Sequence, residues 1–172
     1  MSTIKTNRIE NVAGTHGFDV EDVIPDVKDS AWSGTVIADE QALRDFYGDQ
    51  SITVQGANFS AKSYPDGSVV GSTDNGSFTM SANGDLECIN GSVRSGVASN
   101  PYGNIFSLPA VAGSFPIVFK TPPFCSPMTI VAIGVPWGAV RHASVTDVEC
   151  GLLSAIHTGE ASSGYQAIGR WK

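Results

Sequence analysis

The sequence is short of charged residues, and of basic residues above all. Charged residues make up 16% of its 172 residues, and 10 lysines and arginines against 17 acidic residues give a net charge of −7. Proteins that bind nucleic acids contact phosphates with clustered Lys and Arg side chains, and the sequence contains no such cluster. We therefore predict that the chain does not bind nucleic acid.

Long apolar runs and an apolar leader are also missing. Residues 1–5 read M-S-T-I-K, which is not the start of a secretory signal. The longest apolar run is far shorter than the roughly 18–20 residues that span a bilayer. We predict synthesis in a cytoplasm and no insertion into a membrane.

Cysteine is scarce and odd in number. The chain has three cysteines, Cys88, Cys125 and Cys150. Their spacing matches no metal-ligand pattern, and an odd number cannot pair completely within one chain. We predict free, buried thiols in a protein that folds in a reducing compartment.

Motifs for catalysis and cofactor binding are absent. The three histidines, His16, His142 and His157, form no H-x-H or H-E-x-x-H motif. The sequence also has no G-x-S-x-G elbow and no phosphate-binding glycine loop. Asp147 and Glu149 could form a carboxylate pair for glycoside hydrolysis, but two outward positions on a strand explain them without any catalytic role. We predict no metal, no cofactor and no enzymatic activity.

Turn-forming residues and alternating apolar residues are plentiful. The 19 glycines and 9 prolines suit short strands joined by turns. Two segments alternate apolar and other residues, which places every second side chain on one face of a strand. The alternating apolar positions are Phe115, Ile117 and Phe119 in one segment and Tyr165, Ala167, Gly169 and Trp171 in the other. We predict a mostly β fold with an antiparallel β-sandwich of about eight strands.

Local signals place turns between these strands. Asn-Gly at residues 83–84 predicts a hairpin, because both turn positions favour a positive φ. Pro109 is predicted to end a strand, residues 136–138 (P-W-G) to form a turn, and Gly151 to mark a bulge. The core positions predicted for the hairpin are Phe78 and Met80 paired with Leu86 and Cys88.

Residues 37–48 contain the clearest helix signal. Asp39 is a suitable N-cap, Gly48 is a suitable C-terminal residue, and Leu43, Phe46 and Tyr47 form one apolar stripe. A helix this short must pack on something to be stable. The sequence leaves two packing partners possible for the helix: the chain's own β-domain, or copies of the helix around a threefold axis.

Residues 1–31 lack any sustained period. Apolar residues there are scattered among turn formers and bury too little to offset the entropy of ordering. We predict an extended N-terminal arm that lies against other chains. The predicted organisation is an attachment arm at 1–31, a short helical neck and linker at 32–75, and a β-sandwich head at 76–172.

Four segments are similar to bacteriophage tail fibre proteins. Residues 83–89 (N-G-D-L-E-C-I), 115–119 (F-P-I-V-F) and 164–171 (G-Y-Q-A-I-G-R-W) resemble, in order and rough spacing, the C-terminal receptor-binding domain of these proteins. Residues 4–15 (I-K-T-N-R-I-E-N-V-A-G-T) resemble their attachment arm. The chain departs from the family in having Asn90-Gly91 where W-G is usual, no long shaft and no H-x-H repeats. These departures indicate a short or accessory fibre.

The resemblance implies a homotrimeric virion protein made in the host cytoplasm. Its arm would bind other tail or baseplate proteins, and its head would bind a host surface glycan or outer-membrane receptor. The residues expected to attach the arm are Ile4, Ile9, Val12, Phe18 and Val20. The residues expected at trimer contacts are Leu43, Phe46, Tyr47, Ile168 and Trp171.

Receptor binding is predicted at loops of the head, with a saccharide as the ligand because aromatic faces stack on sugar rings. The predicted receptor-binding residues are Trp137, Arg141, His142, His157 and Glu160. Two alternatives remain open. The first is a tail adaptor or capping protein without receptor binding, and the second is a polysaccharide-degrading enzyme.

Overall fold

A computed structural model of the protein describes residues 3–5, 8–10, 17–19, 34–131, 136–156, 158 and 160–172. The chain divides into two compact units, Met1–Gly34 and Thr35–Lys172. In the described residues no helix has both the length and the apolar character needed to cross a membrane.

The N-terminal unit contains three short strands, β1 (Thr3–Lys5), β2 (Arg8–Glu10) and β3 (Gly17–Asp19). They form one antiparallel sheet in the order β1-β2-β3. Ile4 pairs with Ile9, and Ile9 pairs with Phe18. The backbone groups of these strands therefore find partners within the arm itself. Val12 and Val20, also predicted for attachment, lie outside the described residues.

The larger unit contains a seven-stranded antiparallel sheet in the order β11-β14-β8-β7-β6-β5-β4. In chain order, its first four strands are β4 (Thr35–Ile37), β5 (Ser60–Ser63), β6 (Val69–Thr73) and β7 (Gly76–Met80). The other three are β8 (Asp85–Val97), β11 (Phe124–Val131) and β14 (Glu160–Arg170).

The predicted neck at 32–75 is part of this sheet. Strands β4, β5 and β6 pair in sequence with β7, and Thr73 lies directly opposite Gly76. The predicted boundary at residue 75 is therefore wrong, because residues 74 and 75 are the turn of a two-stranded hairpin. A separate neck would require the chain to leave the sheet at this point.

A second antiparallel sheet has four strands in the order β12-β13-β10-β9. They are β9 (Asn100–Tyr102), β10 (Ile105–Ser114), β12 (Pro136–Ala143) and β13 (Asp147–Ser154). Val148 and Cys150 of β13 share one buried cluster with Phe78 of β7 and Leu86 of β8. The two sheets thus enclose a common core, which confirms the predicted mostly β, sandwich-like architecture.

The helix α1 (Glu40–Tyr47) forms where its capping residues predicted it. The Asp39 carboxylate accepts a hydrogen bond from the Ala42 amide at 2.8 Å, and Gly48 adopts φ 62° at the C-terminal end. Glu40 and Arg44, one turn apart, form an ion pair. It is the one α-helix in the described part of the chain.

The apolar stripe of α1 packs on the chain's own sheets. Leu43 is fully buried, and the Tyr47 ring lies against Trp171 with 4.5 Å between centroids. Trp171 is itself buried. The prediction of trimer contacts at Leu43 and Trp171 is therefore corrected, because the chain's own core already covers these side chains. Tyr47 is half-buried, and its trimer contact stays a prediction. Phe46 and Ile168 remain exposed.

Residues 115–119 do not form a strand, and burial does not alternate along them, since Pro116 is fully buried as well. Phe115, Ile117 and Phe119 are all buried. The segment makes one isolated bridge, between Ile117 and Val54, and its Val118 amide donates to the Thr53 carbonyl at 3.0 Å. Its partners are loops, and Pro116 lacks an N–H for a continuous ladder.

The predicted hairpin forms, but its loop spans residues 81–84, and of the two positions predicted to have a positive φ only Gly84 has one. Gly84 has φ 101°, and the strand pairs are Phe78 with Cys88 and Met80 with Leu86. The C-terminus then closes over this turn, since the Trp171 amide donates to the Gly84 carbonyl at 3.0 Å. The two segments of the sequence with the strongest local signals are thus in direct contact.

The three cysteines are free, as predicted. Cys88 and Cys150 are buried, and Cys125 is half-buried. Burial raises the pKa of the Cys88 thiol to about 12 and that of Cys150 to about 11. Burial also raises the pKa of Cys125. All three thiols are therefore poor nucleophiles near neutral pH.

We expect an aromatic disulfide reagent at pH 8 to react slowly with the native protein, at Cys125 alone. Three thiols should react at once in guanidinium chloride. Replacing Cys125 with serine should abolish the native-state reaction and leave two thiols in denaturant. Rapid modification of Cys88 or Cys150 in the native protein would contradict the buried core described above.

Candidate binding surface

The outer face of the four-stranded sheet carries two of the predicted receptor-binding residues. Trp137, Ala139 and Arg141 alternate along β12, while Trp137 pairs with Leu153 and Ala139 with Gly151 on β13. Directly paired residues share a face of a sheet. Trp137 and Arg141 therefore lie on the same surface, next to Gly151 and Leu153.

Residues 136–138 form part of this strand, so the predicted turn is wrong. β12 is an edge strand of its sheet, and Pro136 is its first residue. Proline is tolerated at such a position because its missing N–H removes no ladder bond. The P-W-G sequence thus starts a strand and places Trp137 on the sheet surface.

A groove of about 310 Å³ lies on this face. Most of the residues that line it are aliphatic or small, and one is charged. The lining residues are Ser107, Leu108, Pro109, Ala110, Ala139, Arg141, Gly151, Leu152 and Leu153.

A bulge in β10 and a glycine in β13 shape the floor of the groove. The register of β10 against β13 shifts between Leu108 and Val111, so Pro109 lies at a bulge and does not end the strand. A Cβ added at Gly151 would lie 3.0 Å from the Leu108 carbonyl oxygen and 3.1 Å from the Ala110 nitrogen. The predicted bulge at Gly151 is thus on the partner strand, and glycine allows the close approach.

The groove offers an apolar wall and a cationic group, and the exposed ring of Trp137 lies outside its lining, two residues before Ala139 on β12. Trp137 is 45% exposed. Arg141 is also exposed, and its guanidinium has five N–H donors in a planar fork that suits hydroxyl or carboxylate oxygens. The Ser107 hydroxyl donates to the Asn100 carbonyl at 3.4 Å. A concave apolar surface with a few convergent polar groups is the usual form of a small-ligand site.

The other predicted receptor-binding residues are more dispersed. His142 is exposed and follows Arg141, where the register of β12 shifts between Val140 and Ala143. Glu160 is exposed but begins β14 of the other sheet, opposite Val97. His157 lies outside the described residues. The structure therefore brings together Trp137 and Arg141, with His142 beside them and Glu160 elsewhere.

Sequence reasoning missed several residues that line the groove. Leu153 and Ser107 carry no motif, and their place in the groove depends on the pairing of β10, β12 and β13. The bulge predicted at Gly151 is the local signal in the sequence for the floor of the groove.

One member of the predicted carboxylate pair, Asp147, has a structural role. The Asp147 carboxylate accepts a hydrogen bond from the Thr146 hydroxyl at 2.9 Å. Asp147 and Glu149 alternate with the buried Val148 and Cys150, as an outward pair on a strand should. Among the described residues, no group of three or more His, Cys, Asp or Glu side chains is placed to hold a metal ion.

No protein-family model, curated protein or solved structure matches this chain. The resemblance to tail fibre heads therefore rests on the motifs alone. In the structure, residues 83–89 form the turn into β8, and residues 164–171 form the end of β14, which pairs with β8.

Proposed function

We propose that the chain is a short tail fibre component of a bacteriophage virion that binds a saccharide on the host surface. The N-terminal unit attaches to the tail or baseplate, and the larger unit binds the host. Two compact units in this order support the division of labour. The motif resemblance at residues 4–15 and 164–171 supports the placement in a phage tail.

The groove on the four-stranded sheet is the observation that carries this proposal. An indole that is 45% exposed stands beside an aliphatic depression and an exposed arginine. Sugar rings have apolar C–H faces that stack on aromatic rings, and hydroxyl rims that accept hydrogen bonds from donors such as guanidinium. The same combination suits no nucleic acid, since the chain carries a net charge of −7.

In the proposed complex, one sugar ring stacks on Trp137 and its neighbour enters the groove. Gly151 leaves the floor open, and Leu153 supplies an apolar wall. Arg141 donates to hydroxyl or carboxylate oxygens of the saccharide. The bound ligand thus contacts β12 and β13 together.

We further propose that the protein acts as a homotrimer. One shallow groove of about 310 Å³ buries little of a saccharide and would bind weakly. Three grooves on one particle raise the apparent affinity for a repetitive surface by about 10²-fold or more, because later binding events become intramolecular. A trimer therefore suits a polymer of repeated sugars better than a free monosaccharide.

An array of oligosaccharides from bacterial lipopolysaccharides and capsules tests the binding. We expect wild-type protein to bind a subset of the array. Trp137→Ala and Arg141→Ala should each weaken that binding about tenfold or more, as expected when the anchor of an interface is removed. Tyr64→Ala is the matched control, because Tyr64 is a partly exposed aromatic residue at the β5–β6 turn of the other sheet.

Equal binding by the Trp137→Ala and control proteins would overturn the assignment of the groove. No binding to any member of the array would favour the tail adaptor alternative. Exposed apolar residues on the seven-stranded sheet, including Phe124 and Ile168, favour that second candidate because they suit contacts between proteins. Capture of baseplate proteins by the full chain, without saccharide binding, would support it.

A further inference from the structure

One continuous row of side chains crosses the whole seven-stranded sheet on its outer face. Each member is the directly paired neighbour of the next, from one edge strand to the other. In order from β11 to β4, the row is Phe124, Ile168, Glu87, Thr79, Val70, Lys62 and Val36.

The row is apolar toward both ends and charged between them. Phe124 and Ile168, at the β11 end, are 73% and 50% exposed. Val36, at the β4 end, is 71% exposed, and Val70 is 44% exposed. Phe124 and Ile168 are directly paired, and contiguous exposed apolar patches on soluble proteins commonly mark contacts with other molecules. The β11 end of the row therefore indicates a contact surface.

The two ends also differ in charge. Glu87 stands next to Ile168 on the β11 side, and Lys62 stands between Val70 and Val36 on the β4 side. The Glu87 carboxylate accepts a hydrogen bond from the Gln166 amide at 2.6 Å, which fixes it on this face. The row is thus apolar and acidic at one end, and apolar and basic at the other.

A shallow groove of about 320 Å³ lies beside the row, between β7, β8 and β14. Its lining includes Thr79, Glu87 and Ile168, together with Ser81, Asp85 and Leu86. An aliphatic side chain from another molecule can enter there without displacing any part of the sheet.

We infer that a second copy of this chain occupies this face, with the β4 end of its row on the β11 end of the first. This inference rests on the homotrimer in the proposed function and names the surface that forms it. Head-to-tail contact places Val36 and Val70 of one copy near Phe124 and Ile168 of the next. It also places Lys62 near Glu87, whereas contact between like ends would bring two carboxylates or two ammonium groups together.

Head-to-tail contacts use each end once and close into a ring when the rotation between copies is a simple fraction of a turn. A threefold axis parallel to the strands satisfies this condition with three copies. The four-stranded sheet then lies on the outside of the ring, where the groove beside Trp137 is accessible to a saccharide.

Sedimentation velocity of the full chain tests the inference. We expect wild-type protein to sediment as a trimer at micromolar concentration. Ile168→Lys should raise the dissociation constant about tenfold or more, whereas Ile156→Lys should not. Ile156, at 53% exposure, matches Ile168 but follows β13 in the other sheet.

Charge reversal gives an independent test of the same contact. Lys62→Glu and Glu87→Lys should each weaken association, and the double variant should restore most of it. Lys120→Glu is the control, because Lys120 is exposed outside the row. Thermal unfolding of each variant separates loss of association from loss of folding.

Three outcomes would overturn the inference: a monomeric wild type, a trimer insensitive to Ile168→Lys, or no rescue by the double charge reversal. A dimer with the expected sensitivities would support the contact and refute the threefold part of the proposed function. Loss of saccharide binding by Trp137→Ala in an intact trimer would support the inference, because the contact row and the groove lie on different sheets. Loss of the trimer in this variant would overturn it.

Discussion

Replacing Gly164 with alanine should prevent the central strands β8 and β14 from pairing. A Cβ at this position would lie 1.8 Å from the Asn90 carbonyl oxygen and 2.6 Å from the Gly91 carbonyl carbon. Both atoms belong to the backbone, so no rotamer change relieves the clash. The register of β14 against β8 shifts between Ser163 and Tyr165, and Gly164 is the residue at the shift. We expect a loss of about 3 kcal/mol or more in the free energy of unfolding.

Gly91→Ala is the matched control from the same irregularity. A Cβ at Gly91 would meet only the Ile130 Cδ1 atom, at 3.2 Å, and that atom is the end of a flexible side chain. Urea denaturation followed by circular dichroism should show a small change for Gly91→Ala and a large loss for Gly164→Ala. Equal stability of the two variants would mean that β8 and β14 do not approach each other as described.

Tyr165→Phe should be the most destabilising removal of a single hydroxyl. The buried Tyr165 hydroxyl lies 3.1 Å from the Asn75 carbonyl and 3.2 Å from the Ser114 carbonyl. Asn75 is in the β6–β7 turn of one sheet, and Ser114 ends β10 of the other. The Tyr165 hydroxyl thus links a turn of one sheet to the end of a strand in the other. Its removal takes away the donor that these two carbonyls share. The Asn75 carbonyl keeps a second donor, the Asn90 side-chain amide at 3.0 Å, and Ser114 is exposed to water, so we expect a cost of about 1.5 kcal/mol.

Tyr47→Phe provides the comparison at lower burial. The Tyr47 hydroxyl also lies 3.1 Å from each of two carbonyls, those of Gly67 and Met80, but this side chain is only half-buried. Water can replace part of the lost hydrogen bond there, so the cost should be about 1 kcal/mol. Thermal unfolding of both variants measures the difference. A larger effect at Tyr47 than at Tyr165 would contradict the description of Tyr165 as the link between the sheets.

Features that depend on neighbouring residues could be predicted from the sequence. The caps of α1 at Asp39 and Gly48 satisfy backbone groups within one turn, so their chemistry is visible locally. The hairpin loop at residues 81–84 ends with a positive φ at Gly84, which glycine adopts readily. Phe115, Ile117 and Phe119 are buried as their apolar character predicts, although Pro116 is buried between two of them.

Features that depend on distant pairing could not be predicted in the same way. Residues 115–119 alternate like a strand, yet no neighbouring strand is available along most of their length. Residues 136–138 have the composition of a turn, and only pairing with β13 makes them a strand. The assignment of residues 32–75 to a neck failed for the same reason, since three short strands there join a sheet completed by the C-terminus.

The candidate site combines residues that could be predicted from their type with a shape that depends on distant strand pairing. Trp137 and Arg141 were identified by residue type, and the structure places them on one face four residues apart on β12. The groove between them and β10 requires the bulge at Pro109, for which the sequence gives no pairing partner. Residue type therefore singled out two candidate side chains, while the shape of the groove depends on tertiary structure.

Acrylamide quenching of Trp137, with and without the tightest-binding oligosaccharide of the array, tests the central proposal most directly. Subtracting the signal of a Trp137→Phe variant isolates this residue from the other tryptophans. If a sugar ring stacks on the indole, its exposed face should be covered, and the quenching constant of Trp137 should fall severalfold at saturating ligand. Saturated binding with unchanged quenching of Trp137 would show that the saccharide binds elsewhere, and it would refute the outer groove of the four-stranded sheet as the receptor site.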